Sequence, residues 1–170
     1  VMLCGEMIWI VSGILVAHYR GQPLAVFFSR FWYPGVNLVV LGFFLFALEY
    51  TGRGEYITRQ TVALLSIEPV VFNTALWIDE SLVWETGEQT MKTMRGVVIH
   101  HQPLFTVHAV YSYVLLIAGS IMIAQLAVRS ERIYRRQSAA ILVGMVASLI
   151  GNVLYHLYVL PVDTTPLGFA

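Results

Sequence analysis

The sequence predicts an all-α bundle of helices that span a membrane. Hydrophobic residues make up 58% of the 170 residues, charged residues make up 12%, and the mean hydropathy is +0.72. A soluble domain carries about a quarter charged residues, so the composition excludes an ordinary soluble domain. The apolar runs recur along the chain with short connections between them, and we therefore expect a single domain over residues 1–170.

Five segments meet or approach the roughly 20 residues that a helix needs to cross the hydrocarbon core of a bilayer. They are Met2 to Ala17, Phe31 to Tyr50, Thr61 to Trp77, Leu104 to Val128, and Ser138 to Leu160. Glu68 and Pro69 interrupt the third segment, where the proline predicts a kink. The longest connection, about 78–103, is predicted to be an outer loop, and a basic turn is expected from Arg129 to Gln137.

The arginine distribution predicts which loops face the cytoplasm. Because consecutive spans alternate in direction, loops 51–60 and 129–137 fall on one side of the membrane. These two short loops hold Arg53, Arg59, Arg129, Arg132, Arg135 and Arg136. The opposite side has fewer basic residues in longer connections, so the positive-inside rule places loops 51–60 and 129–137 in the cytoplasm. The formal net charge is zero, and we expect no nucleic-acid partner.

Motifs for catalysis, metal binding and cofactor binding are not present in the sequence. There is no GxSxG string, no Walker loop and no HExxH helix, and Cys4 is the sole cysteine. His100, His101 and His108 have no carboxylate at ligand spacing. We therefore predict no catalytic residue, no metal and no cofactor.

Sparse polar side chains inside the apolar spans are the candidate functional residues. His108, His156 and Asn73 each lie four residues inside the predicted outer end of a span, roughly 6 Å deep at the rise of an α-helix. Tyr111 and Asn152 lie at similar or slightly greater depth. With Glu68, which is deep in the third span, the predicted ligand-binding residues are His108, Tyr111, Asn73, Asn152, His156 and Glu68.

Three interpretations of this polar layer remain open. It can be a hydrogen-bond network that joins the helices, with each such bond contributing about 0.6 kcal/mol on average. It can be a pocket for a small ligand, since ionisable residues inside membranes often mark functional sites. His108 and His156 also lie at similar depths on consecutive antiparallel helices, as the axial ligands of a haem would.

Several short strings add a family resemblance to this physical interpretation. They are Phe46-Ala47-Leu48-Glu49-Tyr50-Thr51-Gly52, Leu82-Val83-Trp84, Pro103-Leu104-Phe105 with His108, Tyr111 and Tyr113, Tyr134-Arg135-Arg136-Gln137, Gly151-Asn152, and Asp163-Thr164-Thr165-Pro166. In these strings the chain resembles the N-terminal seven-transmembrane sensor region of histidine kinases of the archaeal and bacterial two-component type. The resemblance implies that the chain holds five helices of a seven-helix domain, from the second helix to the start of the seventh.

The resemblance also implies a function. The segment would perceive an external or membrane stimulus, bind a small molecule of unknown identity, and relay the signal to a cytoplasmic output domain. It would not itself be an enzyme; the full-length parent would be a histidine protein kinase that forms a homodimer in the lipid bilayer. The alternative functions are a small membrane transporter or a b-type haem-binding electron carrier.

Overall fold

The protein is a bundle of α-helices of the kind that the sequence predicts. The computed structural model describes residues 1–19, 21–84 and 102–156, with side chains described as far as residue 154. The helices in these residues are α1 (Met2–His18), α2 (Pro23–Ser29), α3 (Trp32–Tyr50), α4 (Arg59–Ile78), α5 (Pro103–Arg129) and α6 (Arg132–His156). The prediction of an all-α, multi-span membrane bundle is confirmed.

Four helical stretches within these residues are long and apolar enough to cross a membrane. They are Pro23–Tyr50, Arg59–Ile78, Pro103–Arg129 and Arg132–Leu154, and Met2–His18 is a shorter apolar helix. The multi-pass character of the protein follows from these lengths and compositions.

Two local predictions differ from the structure. The basic turn expected from Arg129 to Gln137 is wrong over most of its length, because α6 already begins at Arg132. Arginine and glutamine are good helix formers, so the charged segment continues the helix instead of ending it. The short helix α2 was not predicted, although Pro23 at its first position is a typical start signal.

Some predictions fall on parts of the chain outside the described residues. These are His100 and His101, the predicted span end at Leu160, the string Asp163-Thr164-Thr165-Pro166, and the side chain of His156.

Helices α1 and α3 are antiparallel and pack through direct backbone contact. A Cβ atom added to Gly35 would lie 2.8 Å from the carbonyl oxygen of Gly5 and 2.8 Å from the backbone nitrogen of Trp9. A Cβ atom on Gly42 would meet the backbone of Met2 at 3.0 Å. Small residues let membrane helices approach in this way, and the glycines therefore set the distance between α1 and α3.

The apolar core lies between α3, α5 and α6. Its buried members are Val40, Phe43, Ala47, Leu115, Leu116, Ile123 and Met145. Gly119 of α5 fits against Phe43 and Ala47 of α3, which runs parallel to it. At the predicted cytoplasmic end, the hydroxyl groups of Tyr50 and Ser138 are 3.4 Å apart and connect α3 to α6.

Polar contacts join the segments at the predicted outer end of the bundle. The guanidinium group of Arg30 donates to Glu80 Oε2 at 3.1 Å and lies 5.5 Å from the centre of the Trp77 ring. Asp79 Oδ1 accepts from the backbone N–H and the hydroxyl of Ser81, and these bonds hold the pKa of Asp79 below its usual range. Contacts of this exposed type contribute little stability each, but they fix the end of α4.

Candidate functional site

The backbone of α4 has a break in its hydrogen bonding at Glu68 and Pro69. Proline has no N–H, so Pro69 cannot donate to the carbonyl of Leu65 four residues earlier. The hydroxyl of Tyr111 on α5 donates to this carbonyl at 2.5 Å. A side chain of a neighbouring helix thus takes the place of the missing backbone donor, as proline in membrane helices requires.

One turn of α4 beyond Leu65, the ionisable side chains of Glu68 and His108 join α4 to α5. His108 Nδ1 lies 3.0 Å from Glu68 Oε1 and 3.2 Å from Oε2. The side chain of His108 is 3% exposed and that of Glu68 is 21% exposed. On α4, Leu65 and Glu68 are three residues apart and therefore share one helix face. The same is true of His108 and Tyr111 on α5. We refer to Leu65, Glu68, His108 and Tyr111 as the α4–α5 polar contact.

The ring of His108 is enclosed by aromatic side chains. The Phe72 ring stacks on it at a centroid distance of 3.9 Å and an angle of 18°, and Tyr33 of α3 contacts it edge-on at 5.9 Å. Tyr33 in turn stacks on Trp84 at 5.7 Å. Buried in this environment, His108 Nε2 has no hydrogen-bond partner among the described residues.

The connection after α4 folds back over this enclosure. Val83 and Trp84 are buried against Phe72 and Leu76. The backbone N–H of Gln102 donates to the carbonyl of Val83 at 2.9 Å, which brings the two described ends of the predicted outer loop together. The site is therefore covered, at the end of the bundle that is predicted to be the outer one, by part of the string Leu82-Val83-Trp84.

The structure brings together three of the predicted ligand-binding residues, while Asn152 and Asn73 make their hydrogen bonds elsewhere and the side chain of His156 lies outside the described residues. His108, Tyr111 and Glu68 form the α4–α5 polar contact. Asn152 instead accepts a hydrogen bond from the hydroxyl of Tyr113. At 3.6 residues per turn, Tyr113 projects from α5 in a direction about 200° away from that of Tyr111. Asn73 donates from Nδ2 to the carbonyl of Pro69 in its own helix at 2.7 Å. The predicted single layer is thus divided between two faces of α5.

Sequence reasoning missed several residues of the site. The involvement of the Leu65 carbonyl follows from Pro69, because the residue four positions before a helical proline loses its donor. Trp84 lies in a string that the family resemblance had already singled out. Tyr33 and Phe72 carried no signal beyond being aromatic, since their packing on His108 depends on how three helices meet.

A groove of about 360 Å³ runs between α4 and α5 beside the polar contact. It is lined by Leu64, Ile67, Glu68, Val71, Phe72, Leu104 and Val107. Glu68 is the one polar side chain in this lining, and the rest of the surface is apolar. The carboxyl group therefore connects the interior at His108 with the outside of the bundle.

The chemistry available to the α4–α5 polar contact is hydrogen bonding and proton exchange between an imidazole and a carboxyl group. His108 and Glu68 are residue types that ligate metals, but the described part of the chain places no third His, Cys, Asp or Glu with them. Ionisable side chains inside membrane-spanning helices are costly, usually pair with one another and often mark functional sites.

We expect Tyr111→Phe to reduce the free energy of unfolding by about 1 to 2 kcal/mol, near the upper end measured for hydrogen bonds inside membranes. The physical reason is that the carbonyl of Leu65 then has neither Tyr111 nor a backbone donor at position 69. Unfolding by SDS in mixed micelles measures the change.

The matched control is the same substitution in a Pro69→Ala background. Alanine at position 69 restores the backbone N–H, so Tyr111→Phe should then cost less than half as much. An equal cost in both backgrounds would show that the Tyr111 hydroxyl does not compensate for the proline.

Comparison with known proteins agrees with this architecture. A family model described as the N-terminal 7TM region of histidine kinase matches residues 1–170. Neither the search of curated proteins nor the search of solved structures gave a match. Because the family model covers the full length of the sequence, the chain belongs to the family of N-terminal seven-transmembrane regions of histidine kinases.

Proposed function

We propose that the chain is the signal-perception domain of a sensor histidine kinase, and that it relays an external or membrane stimulus to a cytoplasmic output domain. The family supports a sensor role. The observation that carries the proposal is the Glu68–His108 pair, because ionisable side chains inside membrane-spanning helices are costly and usually serve function.

In the proposed mechanism, the α4–α5 polar contact is the element that responds to the ligand. A ligand that takes a hydrogen bond from Glu68 or His108 weakens the connection between the helices next to Pro69. The part of α4 beyond the proline then has a different preferred position relative to α5. Such a ligand shifts the population between two arrangements by the difference in its affinity for them.

The arrangement of the parent protein completes the proposal. Loops 51–60 and 129–137 lie in the cytoplasm, as the arginine distribution indicates, and the parent kinase acts as a homodimer. The α4–α5 polar contact then lies in the outer part of the bilayer. Asn152, Asn73 and His156 remain proposed members of the ligand region, although Asn152 and Asn73 make their hydrogen bonds outside the α4–α5 polar contact.

The test is autophosphorylation of the full-length kinase in native membrane vesicles. We expect His108→Ala and Glu68→Ala to change the autophosphorylation level about 5-fold or more, the lower range of coupling between sites in allosteric proteins. Ser120→Ala is the matched control, because among the described residues its hydroxyl donates only to the Leu116 carbonyl of its own helix, at 2.7 Å.

Two outcomes would contradict the proposal. One is an unchanged autophosphorylation level in both variants while the protein stays folded. The other is an equal change in Ser120→Ala, because it would show that the kinase responds to any altered side chain in α5.

A further inference from the structure

The groove between α4 and α5 opens toward the hydrocarbon core of the bilayer. Leu64, Ile67 and Val107 in its lining are 68%, 56% and 59% exposed, and all of them belong to helices long enough to span the membrane. In a bilayer, exposed apolar side chains of membrane-spanning helices contact lipid chains. A molecule that reaches the groove therefore comes sideways from the membrane, and its body has to be apolar to match the lining.

The groove also has one hydrogen-bonding side chain, that of Glu68, and its carboxyl oxygens can accept hydrogen bonds. His108 Nδ1 approaches these oxygens from the side of α5. Glu68 is nevertheless 21% exposed toward the outside. The other lining side chains are apolar and donate nothing to it. The lone pairs of Glu68 that His108 does not use are favourable in an apolar surrounding only when a second donor reaches them.

We propose that this groove binds a membrane-dissolved amphiphile with an apolar chain and a head group that donates a hydrogen bond to Glu68, of the long-chain alcohol type. The inference rests on the proposed function, because it names the class of ligand for the same polar contact. An ionised carboxylate or phosphodiester head has no hydrogen to donate to the Glu68 oxygens, so fatty acids and anionic lipids are selected against. The volume of about 360 Å³ lies within the roughly 300–1,000 Å³ of small-molecule sites.

Binding of an alcohol connects the membrane to the interior of the bundle. A hydroxyl group that donates to Glu68 shares the carboxyl oxygens with His108 and so alters the hydrogen bond between Glu68 and His108. This is the hydrogen bond that the imidazole makes among the described residues, because its Nε2 has no partner there. An alcohol bound in the groove thereby changes the hydrogen bonding of His108, a buried side chain that contacts Tyr33 of α3.

The experiment is photolabelling of the full-length kinase in phosphatidylcholine vesicles with hexadecanol that carries a diazirine in its chain. We expect labelled peptides from α4 and α5, and we expect unlabelled hexadecanol to reduce the labelling at concentrations at least tenfold lower than hexadecanoate or hexadecane. Mass spectrometry of the digested protein measures the labelled positions.

Groove-filling variants test the location. Val107→Trp and, independently, Leu64→Trp place an indole in the groove without changing Glu68 or His108, and both should reduce the labelling to background. Val143→Trp is the matched control on α6, where Val143 is 69% exposed, and it should leave the labelling unchanged. Size-exclusion chromatography confirms that each variant is folded.

Several results would overturn the inference. Labelling spread evenly over all lipid-facing peptides would show that there is no site. Equal competition by hexadecane would show an apolar patch without head-group recognition. Stronger competition by hexadecanoate would show that the groove prefers an anionic head group. If labelling fails while His108→Ala still changes autophosphorylation, the proposed function stands and only the ligand class is wrong. If labelling is specific but His108→Ala and Glu68→Ala leave the kinase unchanged, the groove binds the alcohol without signalling.

Discussion

Gly35→Ala is expected to lower the free energy of unfolding by about 3 kcal/mol, the upper end of the typical cost of overpacking. The new methyl group would lie 2.8 Å from the Gly5 carbonyl oxygen and 2.8 Å from the Trp9 backbone nitrogen. Both atoms belong to the backbone of α1, so no side chain can rotate away and the whole helix must shift. SDS-induced unfolding in mixed micelles, followed by circular dichroism, measures the loss.

Gly13→Ala provides the matched control within the same helix pair. A Cβ atom there would find Trp32 Nε1 at 3.8 Å, which is ordinary van der Waals contact. We expect Gly13→Ala to leave the stability unchanged or slightly raised, because alanine has the higher helix propensity. Equal destabilisation by the two substitutions would mean that the distance between α1 and α3 is not set by Gly35.

The second large effect concerns the Glu68–His108 pair. Glu68→Leu should destabilise the bundle by about 2 to 3 kcal/mol, below the roughly 3–5 kcal/mol of fully buried pairs, because the Glu68 side chain is 21% exposed. The reason is that His108, which is 3% exposed, is left with no hydrogen bond to either ring nitrogen among the described residues. The same SDS titration measures this change.

Replacing both partners should restore the stability. In the double variant Glu68→Leu with His108→Phe, the new phenyl ring can keep the stacking on Phe72, and no unpaired polar group is left between α4 and α5. We expect this variant to be as stable as the natural protein, with the autophosphorylation change of the single variants still present. A double variant less stable than Glu68→Leu alone would contradict the idea that the pair is kept for function at a cost in stability.

Helix positions were largely predictable because the bilayer fixes the length of an apolar run. The third predicted span, Thr61 to Trp77, lies inside α4 (Arg59–Ile78), and Leu104 to Val128 lies inside α5 (Pro103–Arg129). The errors arose where helices leave the hydrocarbon core. Hydropathy no longer distinguishes helix from turn there, and α6 continues through its arginines to Arg132.

The candidate site was predictable in its residue types but not in its pairing. Depth along a helix follows from the sequence, and it grouped His108 with Asn73 of the third span. In the structure His108 instead pairs with Glu68, five residues from Asn73 in that span. Rotation about the helix axis does not follow from depth. For that reason the sequence could not show that Glu68 meets His108 while Asn152 meets Tyr113 on another side of α5.

The direct backbone contact between α1 and α3 divides the bundle into parts of unequal rigidity. With Gly5 and Gly35 in van der Waals contact, α1 and α3 cannot slide past one another without steric overlap, so the two move as one rigid body. The buried residues of α4 are, by contrast, only Pro69, Phe72 and Leu76 among the described residues of that helix. Thermal displacement should therefore be largest for α4, and amide hydrogen exchange should be fastest there and slowest along the α1–α3 seam.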